Sequence, residues 1–324
     1  MNNRRALAAL ERLATQPSGR IGAHATSVLT ELQTTDEDRA VAALRAAGVF
    51  MHCDRQGVVR LVQVGHDSQV IQLNYLTRLH SVNLNGPDIT DASIESLSRG
   101  KHERLSLSLS RTSVTEFGLK NLQKIAGLNS LSLIGQFSAD SLLALKHVEK
   151  LRVLSVGFRV GERELQSLRG VSQLEQVHLS DVQLSRQVVD MMNQLDKLQR
   201  ASLAIPQADD EKLALIGQLS VPLHLTIMGL ANVTTAGWKS LGGAKLRSLS
   251  LSRSPITDAD LAHLGAARTL EMLMIHDAPI SDAGLQHLRQ LTSLRFLAIH
   301  NTKVTDTGVA NLRQAIPNLR HVLH

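Results

Sequence analysis

The sequence predicts an α/β solenoid, with a curved parallel sheet on its concave side and short helices on its convex side. Aliphatic phrases recur about every 24 residues, a period typical of stacked repeats. Within each copy, strand-type alternation is followed by helix-type spacing. Hydrophobic residues make up 43% of the 324 residues but aromatic residues only 2%, so the core must be built from aliphatic side chains.

The first elements predicted along the chain are helical. Residues 35–48 begin with an N-cap residue, Thr35, continue with acidic residues and an apolar stripe, and end at Gly48, which predicts a helix. Residues 3–14 predict a further helix, and residues 16–19, Gln-Pro-Ser-Gly, predict a break after it.

The sheet is expected to start at residues 57–64, followed by a shortened first helix carrying Val70, Leu73 and Leu76. Without a cap, the first full repeat would expose its flank. We therefore predict a helical N-terminal extension and cap over residues 1–58 and a solenoid of about ten full units plus partial terminal units over 59–324.

Two phrases define each repeat. The first is a strand phrase, found as Leu79-x-x-Val82-x-Leu84, Leu246-x-x-Leu249-x-Leu251, Leu270-x-x-Leu273-x-Ile275 and Leu294-x-x-Leu297-x-Ile299. The second follows it as Ile89-Thr90-Asp91, Ile256-Thr257-Asp258, Ile280-Ser281-Asp282 and Val304-Thr305-Asp306. Degenerate copies begin near Leu105, Leu128, Leu151, Leu174, Leu198 and Leu223.

One unit illustrates the local structure. Leu249 and Leu251 alternate with serines, which predicts a short strand with one buried face. Ile256 and the leucines that follow it have helical spacing, and Thr257 is the predicted N-cap. Because no single unit can bury its aliphatic face alone, neighbouring units must stack.

These phrases resemble the leucine-rich repeat superfamily, in particular its bacterial class with an Ile-Thr-Asp-x-Gly-Leu phrase. Residues 280–285 carry the phrase and residues 304–309 nearly so; the resemblance covers roughly residues 59–323. It implies a protein-interaction module. The asparagine that many members place two residues before the Ile is replaced by Pro87, Thr112, Ser254, Ala278 and Thr302. Units between about 128 and 216 are the most degenerate, which indicates either drift or a specialised binding zone.

The last residues, 319–324, predict an eleventh repeat strand. An open strand edge can pair with another copy or another protein. Alternatively, it is a frayed end protected by the charged side chains of Arg320 and His321.

Composition limits the compartment and the partners. The formal net charge is +6, from 35 basic and 29 acidic residues spread along the chain, so nucleic acid is permitted but not required. The single cysteine, Cys53, excludes an internal disulfide and suits a reducing compartment. No signal peptide or transmembrane segment is recognisable, so a cytoplasmic protein is expected, with delivery into a host cell left open.

The strand positions also predict the concave surface. Its central column is expected to be Asn83, Ser108, Ser132, Ser155, His178, Ser202, Thr226, Ser250, Met274 and Ala298. Arg247, Glu271 and Arg295 occupy equivalent positions and predict an alternating ion ladder. The predicted binding patch lies in the C-terminal concave region and comprises Arg247, Arg253, Glu271, Met272, Met274, His276, Arg295, Phe296 and His300.

Two binding functions follow from this surface. The first is a non-catalytic module or scaffold that binds a protein partner on its concave face, through arginine and aromatic anchors. The second is an anionic-ligand binder, such as a nucleic-acid binder, that uses Arg152, Arg200, Arg247, Arg253 and Arg295. The scarcity of aromatic residues argues against single-stranded nucleic acid.

No enzyme motif, cofactor or metal is predicted. Nucleophile-elbow, P-loop, dinucleotide, zincin and EF-hand phrases are absent from the sequence. His276 and His300 are expected to lie one strand apart and define a metal-dependent enzyme as a third hypothesis, but no motif supplies a third ligand. Consecutive residues around Cys53 point to opposite faces of an extended segment, so adjacency with His52 and Asp54 does not make a triad.

Overall fold

The computed structural model describes residues 11–15, 20–33, 35–230, 232–254 and 256–324. These residues contain one 13-stranded sheet whose strands follow one another in chain order. The first pair is antiparallel and every later pair is parallel. The strands are β1 (Phe50–Cys53), β2 (Val59–Val64), β3 (Ser81–Asn85), β4 (Leu105–Ser110), β5 (Leu128–Ile134), β6 (Val153–Val160), β7 (Gln176–Val182), β8 (Arg200–Ile205), β9 (Leu223–Ile227), β10 (Leu246–Leu251), β11 (Met272–His276), β12 (Phe296–His300) and β13 (His321–Leu323).

Short helices connect the strands. They are α1 (Arg20–Gln33), α2 (Asp36–Ala46), α3 (Asp67–Val70), α4 (Asp91–Leu97), α5 (Glu116–Asn121), α6 (Glu162–Gln166), α7 (Arg186–Asn193), α8 (Asp210–Gly217), α9 (Thr235–Gly242), α10 (Asp258–Leu264), α11 (Asp282–His287) and α12 (Asp306–Ala315). Short 3₁₀ segments occupy Ile71–Tyr75, Leu122–Lys124, Ala139–His147, Ser167–Gly170 and Leu288–Gln290. Among the described residues, none of the helices is long and apolar enough to cross a membrane.

The predicted leucine-rich repeat solenoid is therefore confirmed. Aliphatic side chains of the strands and helices form one continuous core, and strand residues such as Leu84 and Leu249 are fully buried. Trp238 in α9 is the one aromatic side chain in the buried core of the described residues. Alternate strand residues remain on the other face, as the pleat requires.

The predicted helix over 35–48 is confirmed as α2. Thr35 and Asp38 form a reciprocal capping box, and Ala40 and Leu44 are buried against the first repeat. The predicted helix over 3–14 lies mostly outside the described residues, although 11–14 are helical, and the predicted break at 16–19 lies wholly outside them.

Two N-terminal elements were not predicted. Helix α1 has no acidic residue in its first turn and no basic residue in its last turn, so it lacks the usual sequence signals. Strand β1 pairs antiparallel with β2 through a turn at Gly57, whose φ is +80°. Only four residues long, β1 carries too short an alternation to identify.

Neighbouring repeats are joined by what we call the Asp–hydroxyl ladder. In each rung, an aspartate at the start of one helix accepts the backbone N–H and the hydroxyl of the next repeat's N-cap residue. The rungs are Asp67–Thr90, Asp91–Thr115, Asp210–Thr234, Asp258–Ser281 and Asp282–Thr305. The rungs link helix ends of neighbouring repeats. The repeats are therefore hydrogen-bonded to one another even though the expected asparagines are absent.

Glycine makes room for four of these rungs. A Cβ added at the third helical residue, for example at Gly284 or Gly308, would clash with the preceding aspartate carboxylate. In α4 that position is Ser93, and its hydroxyl donates to Asp67. The Thr-Asp-x-Gly phrase therefore encodes a contact between repeats: a hydroxyl donor, a carboxylate for the next unit, and space for the previous one.

Candidate functional site

The predicted binding patch extends over the whole length of β10 to β12. Three of its charged members, Arg247, Glu271 and Arg295, lie at or just before the amino ends of the strands. Met272 and Phe296 begin the concave rows of β11 and β12. The remaining members lie towards or beyond the carboxyl ends, among them His276, His300 and Arg253. A strand rises about 3.3 Å per residue, so Arg247 and Arg253 are on the order of 20 Å apart.

At the amino ends of β10 to β12, the structure contains one ion pair of the predicted alternating ion ladder. Arg247 and Glu271 form a short ion pair in which both side chains remain partly exposed. Arg295 has no carboxylate within ion-pair distance in the described part of the chain, so the ladder stops after one rung. An equivalent pair joins Arg152 to Glu175 at 2.5 Å. Exposed pairs of this kind contribute little stability.

The predicted central column is wrong beyond Ser202. The sheet pairs Ser202 with His224, and Thr226 with Ala204. Leu203 and Leu225 pair although they are only 22 residues apart, whereas Leu225 and Leu249 are 24 apart. Because the repeat between β8 and β9 is two residues shorter, the residues predicted for the central column lie two positions further along each strand from β9 onwards.

The corrected rows change the surface chemistry. The central row continues from Ser202 through His224 and Ser248 to Met272 and Phe296. Met274 and Ala298 belong instead to the row of Ala204. Met272 is 36% exposed, and Phe296 is half-buried with its ring centroid 6.5 Å from that of His321. The C-terminal concave centre is therefore apolar, while the N-terminal rows are mainly serine.

His224 was missed by the sequence analysis because of this shift. Burial lowers the pKa of His224, and the positive charges of Arg200 and Arg247 lower it further. Burial and the charge of Arg200 likewise lower the pKa of His178. Both rings therefore favour the neutral form at neutral pH. They lie on either side of Ser202 in the central row.

The two predicted neighbouring histidines lie at the carboxyl ends of β11 and β12. The rings of His276 and His300 stack with centroids 5.2 Å apart and planes 24° apart. In the following turn, Asn301 Nδ2 donates to Asp277 Oδ1 at 2.8 Å. Arg253 occupies the corresponding turn after β10, with a left-handed φ of +51°.

The residues considered for chemistry lie at two separate places, with His276 and His300 at the carboxyl ends of β11 and β12 and Cys53 at the end of β1. Among the described residues, no group of three or more histidine, cysteine, aspartate or glutamate side chains is placed to hold a metal ion. Cys53 is partly exposed, and Asp54 is engaged with Arg60 at 2.8 Å. His276 and His300 are therefore a stacked pair without a third ligand among the described residues.

The degenerate units between about residues 128 and 216 have longer strands and a groove at the carboxyl ends of those strands. Strands β6 and β7 extend to Val160 and Val182, with an irregular register between Val156 and Arg159. Beyond them lies an open groove of about 410 Å³ whose lining includes Arg159 and Asp181. The rings of Phe137 and Phe158 pack nearby with centroids 5.8 Å apart.

Comparisons with known proteins give structural likeness only. No family model and no curated protein sequence matches the chain. A crystal structure of an internalin from Listeria monocytogenes is 16% identical with a TM-score of 0.44, covering 89% of this chain and 94% of the internalin. The TLR13–ssRNA13 complex is 16% identical with a TM-score of 0.49, and PEPR1–AtPEP1 is 17% identical with a TM-score of 0.38. They cover 82% and 83% of this chain, which spans only 40% and 42% of their lengths.

Proposed function

We propose that the chain is a non-catalytic interaction module that binds a protein partner on the concave face of β10 to β12, with residues 1–58 as its N-terminal extension and cap. The observation that carries this proposal is the apolar pair Met272 and Phe296 flanked by charged side chains. Interfaces commonly combine an apolar or aromatic centre with arginine anchors and a polar rim. The resemblance to the bacterial leucine-rich repeat class agrees with a scaffold or effector role inside a cell.

The charged rim supplies specificity in this proposal. Arg247 is held by Glu271, which orients its guanidinium, while Arg295 and Arg253 have no carboxylate within ion-pair distance in the described residues. Unpaired arginines meet carboxylates in a bidentate manner. We therefore expect a partner with an apolar side chain for the centre and acidic side chains for the rim.

The test is a pull-down from native lysate with three proteins: wild type, Arg247→Glu with Arg295→Glu, and a control with Arg289→Glu and Arg313→Glu. The control changes the same charge at exposed residues near the ends of α11 and α12. The proposal expects a discrete protein retained by wild type and control but lost by the concave variant. Equal retention by all three would contradict it, and direct binding of the purified partner then measures the loss.

Anionic-ligand binding is the alternative function. Of its five arginines, Arg152 and Arg247 have carboxylate partners, and Arg200, Arg253 and Arg295 have none in the described residues. Recovery of only nuclease-sensitive material would favour this alternative. Binding to phosphates should also weaken steeply with added salt, whereas an interface with an apolar centre should weaken less.

A second copy of the chain is one candidate partner. The outer edge of β13 has no further strand paired to it among the described residues. Unpaired strand edges can template pairing with another chain. Light scattering at high protein concentration tests this version, because a strict monomer would rule it out while leaving the concave-face proposal intact.

A further inference from the structure

A donor-rich pocket lies far from the C-terminal concave patch, at the amino ends of β2 to β4. Its volume is about 420 Å³, within the range of small-molecule sites. It is lined by Arg60, Thr77, Arg78, Leu79, His80, Glu103 and Arg104. The pocket is formed by the loops before two successive strands together with β2, so adjacent repeats contribute its charged side chains.

Arg60 is held in place by several contacts. Its Nε donates to Asp54 Oδ2 at 2.8 Å, and its Nη1 donates to the carbonyl oxygen of Arg78 at 3.1 Å. The same Nη1 lies 3.4 Å from His80 Nδ1. Because a guanidinium only donates, this contact requires Nδ1 to accept and leaves the proton on Nε2 of His80.

These contacts use up most of the acceptors around the pocket. The Asp54 carboxylate, the Arg78 carbonyl and His80 Nδ1 all face Arg60. Most of the remaining polar side chains can donate: a second terminal nitrogen of Arg60, the guanidinium groups of Arg78 and Arg104, His80 Nε2–H and the Thr77 hydroxyl, which can also accept. Glu103 is the one carboxylate in the lining.

Some arginines at this edge of the sheet have an ion-pair partner among the described residues, and Arg78 and Arg104, like Arg200 and Arg295, have none. Arg152 and Arg247 are each neutralised by a glutamate of the next repeat. In the described residues, neither Arg78 nor Arg104 has a carboxylate within ion-pair distance, although both are exposed. Their positive charges are therefore available to a ligand.

We propose that this pocket binds a phosphate group, either as inorganic phosphate or as a phosphate monoester. Planar guanidinium groups donate two parallel hydrogen bonds to such oxyanions. In this proposal Arg60 supplies a fixed donor, and Arg78 and Arg104 donate to the anion from neighbouring repeats. This site is separate from the protein-binding face, and its existence does not depend on that proposal.

The experiment is calorimetric titration of the full chain at low ionic strength with inorganic phosphate and, separately, with O-phosphoserine. Wild type is compared with Arg78→Gln, Arg104→Gln and their double variant, and with a control carrying Arg289→Gln and Arg313→Gln. Thermal unfolding of each protein verifies that it is folded. Because the substituted side chains are exposed, we expect the fold to be retained.

One bound anion per chain is expected for wild type and control. Loss of one charge-assisted hydrogen-bonding partner should weaken binding about ten- to a hundredfold. Binding of both probes supports a site open to esters, and binding of inorganic phosphate alone supports a site for the free anion. No binding to wild type, or equal weakening in the control, would overturn the proposal.

Discussion

The Asp258 carboxylate accepts both the backbone N–H of Ser281 at 2.8 Å and its hydroxyl at 2.6 Å. One side chain of α10 thereby caps the start of α11, and Asp282 repeats the arrangement with Thr305. Where α9 begins with Thr235 instead of aspartate, the next N-cap, Thr257, bonds to its own Asp260. The ladder is thus an inter-repeat form of helix capping.

Gly284→Ala is expected to destabilise the protein by about 1–3 kcal/mol, because the added methyl group displaces the Asp258 carboxylate from its two donors. The matched control is Gly243→Ala, where a Cβ meets only the Ser240 carbonyl oxygen at 3.5 Å. Denaturant unfolding measures both. Equal stability of the two variants would show that the ladder tolerates the displacement.

Acid should weaken the same ladder. Hydrogen bonds from Thr234 lower the pKa of Asp210, and those from Thr305 lower the pKa of Asp282. Below the ordinary aspartate value of 3.8 the unfolded state binds more protons than the folded one. This contribution is therefore present above that pH and lost as the pH falls through the folded pKa. Asp282→Asn should be less stable at neutral pH and lose less between pH about 5 and 2; an unchanged pH profile would contradict this.

A buried histidine adds a second pH window. His102 is 4% exposed, neither ring nitrogen has a hydrogen-bond partner among the described residues, and burial lowers its pKa from 6.5. As the pH falls below 6.5, the unfolded state takes up a proton first, so stability decreases. One proton limits the slope to about 1.4 kcal/mol per pH unit. His102→Leu should reduce this slope in unfolding measured between pH about 7.5 and 5, and an unchanged slope in the variant would contradict the prediction.

Arg253→Gly separates binding from stability. Its left-handed backbone costs a non-glycine residue roughly 1–2 kcal/mol, which glycine relieves at some cost in unfolded-chain entropy. We expect unchanged or slightly higher thermal stability, by up to about 1 kcal/mol. If Arg253 belongs to the proposed interface, affinity for the isolated partner should still fall. Full affinity in this variant would remove Arg253 from the binding patch.

The sequence predicts the solenoid, its repeat length and most helix starts, because aliphatic spacing and N-cap residues are local signals. It does not predict the register at β9. Leu223, Leu225 and Ile227 alternate over five residues, so a shift by two leaves the same face buried. The Asp–hydroxyl ladder is likewise encoded in Thr-Asp-x-Gly but joins residues 23 or 24 positions apart. Which predicted patch residues bind a partner depends on that partner's shape and charge.

The central row of the sheet has a consequence for the orientation of an elongated partner. From Asn83 through Ser108 it offers amide and hydroxyl groups, and at Met272 and Phe296 it offers thioether and phenyl groups. An elongated partner with one apolar end and one polar end, bound across the strands, would therefore match the row in only one of its two orientations. The solenoid thus has a polarity of recognition, built from a single line of side chains.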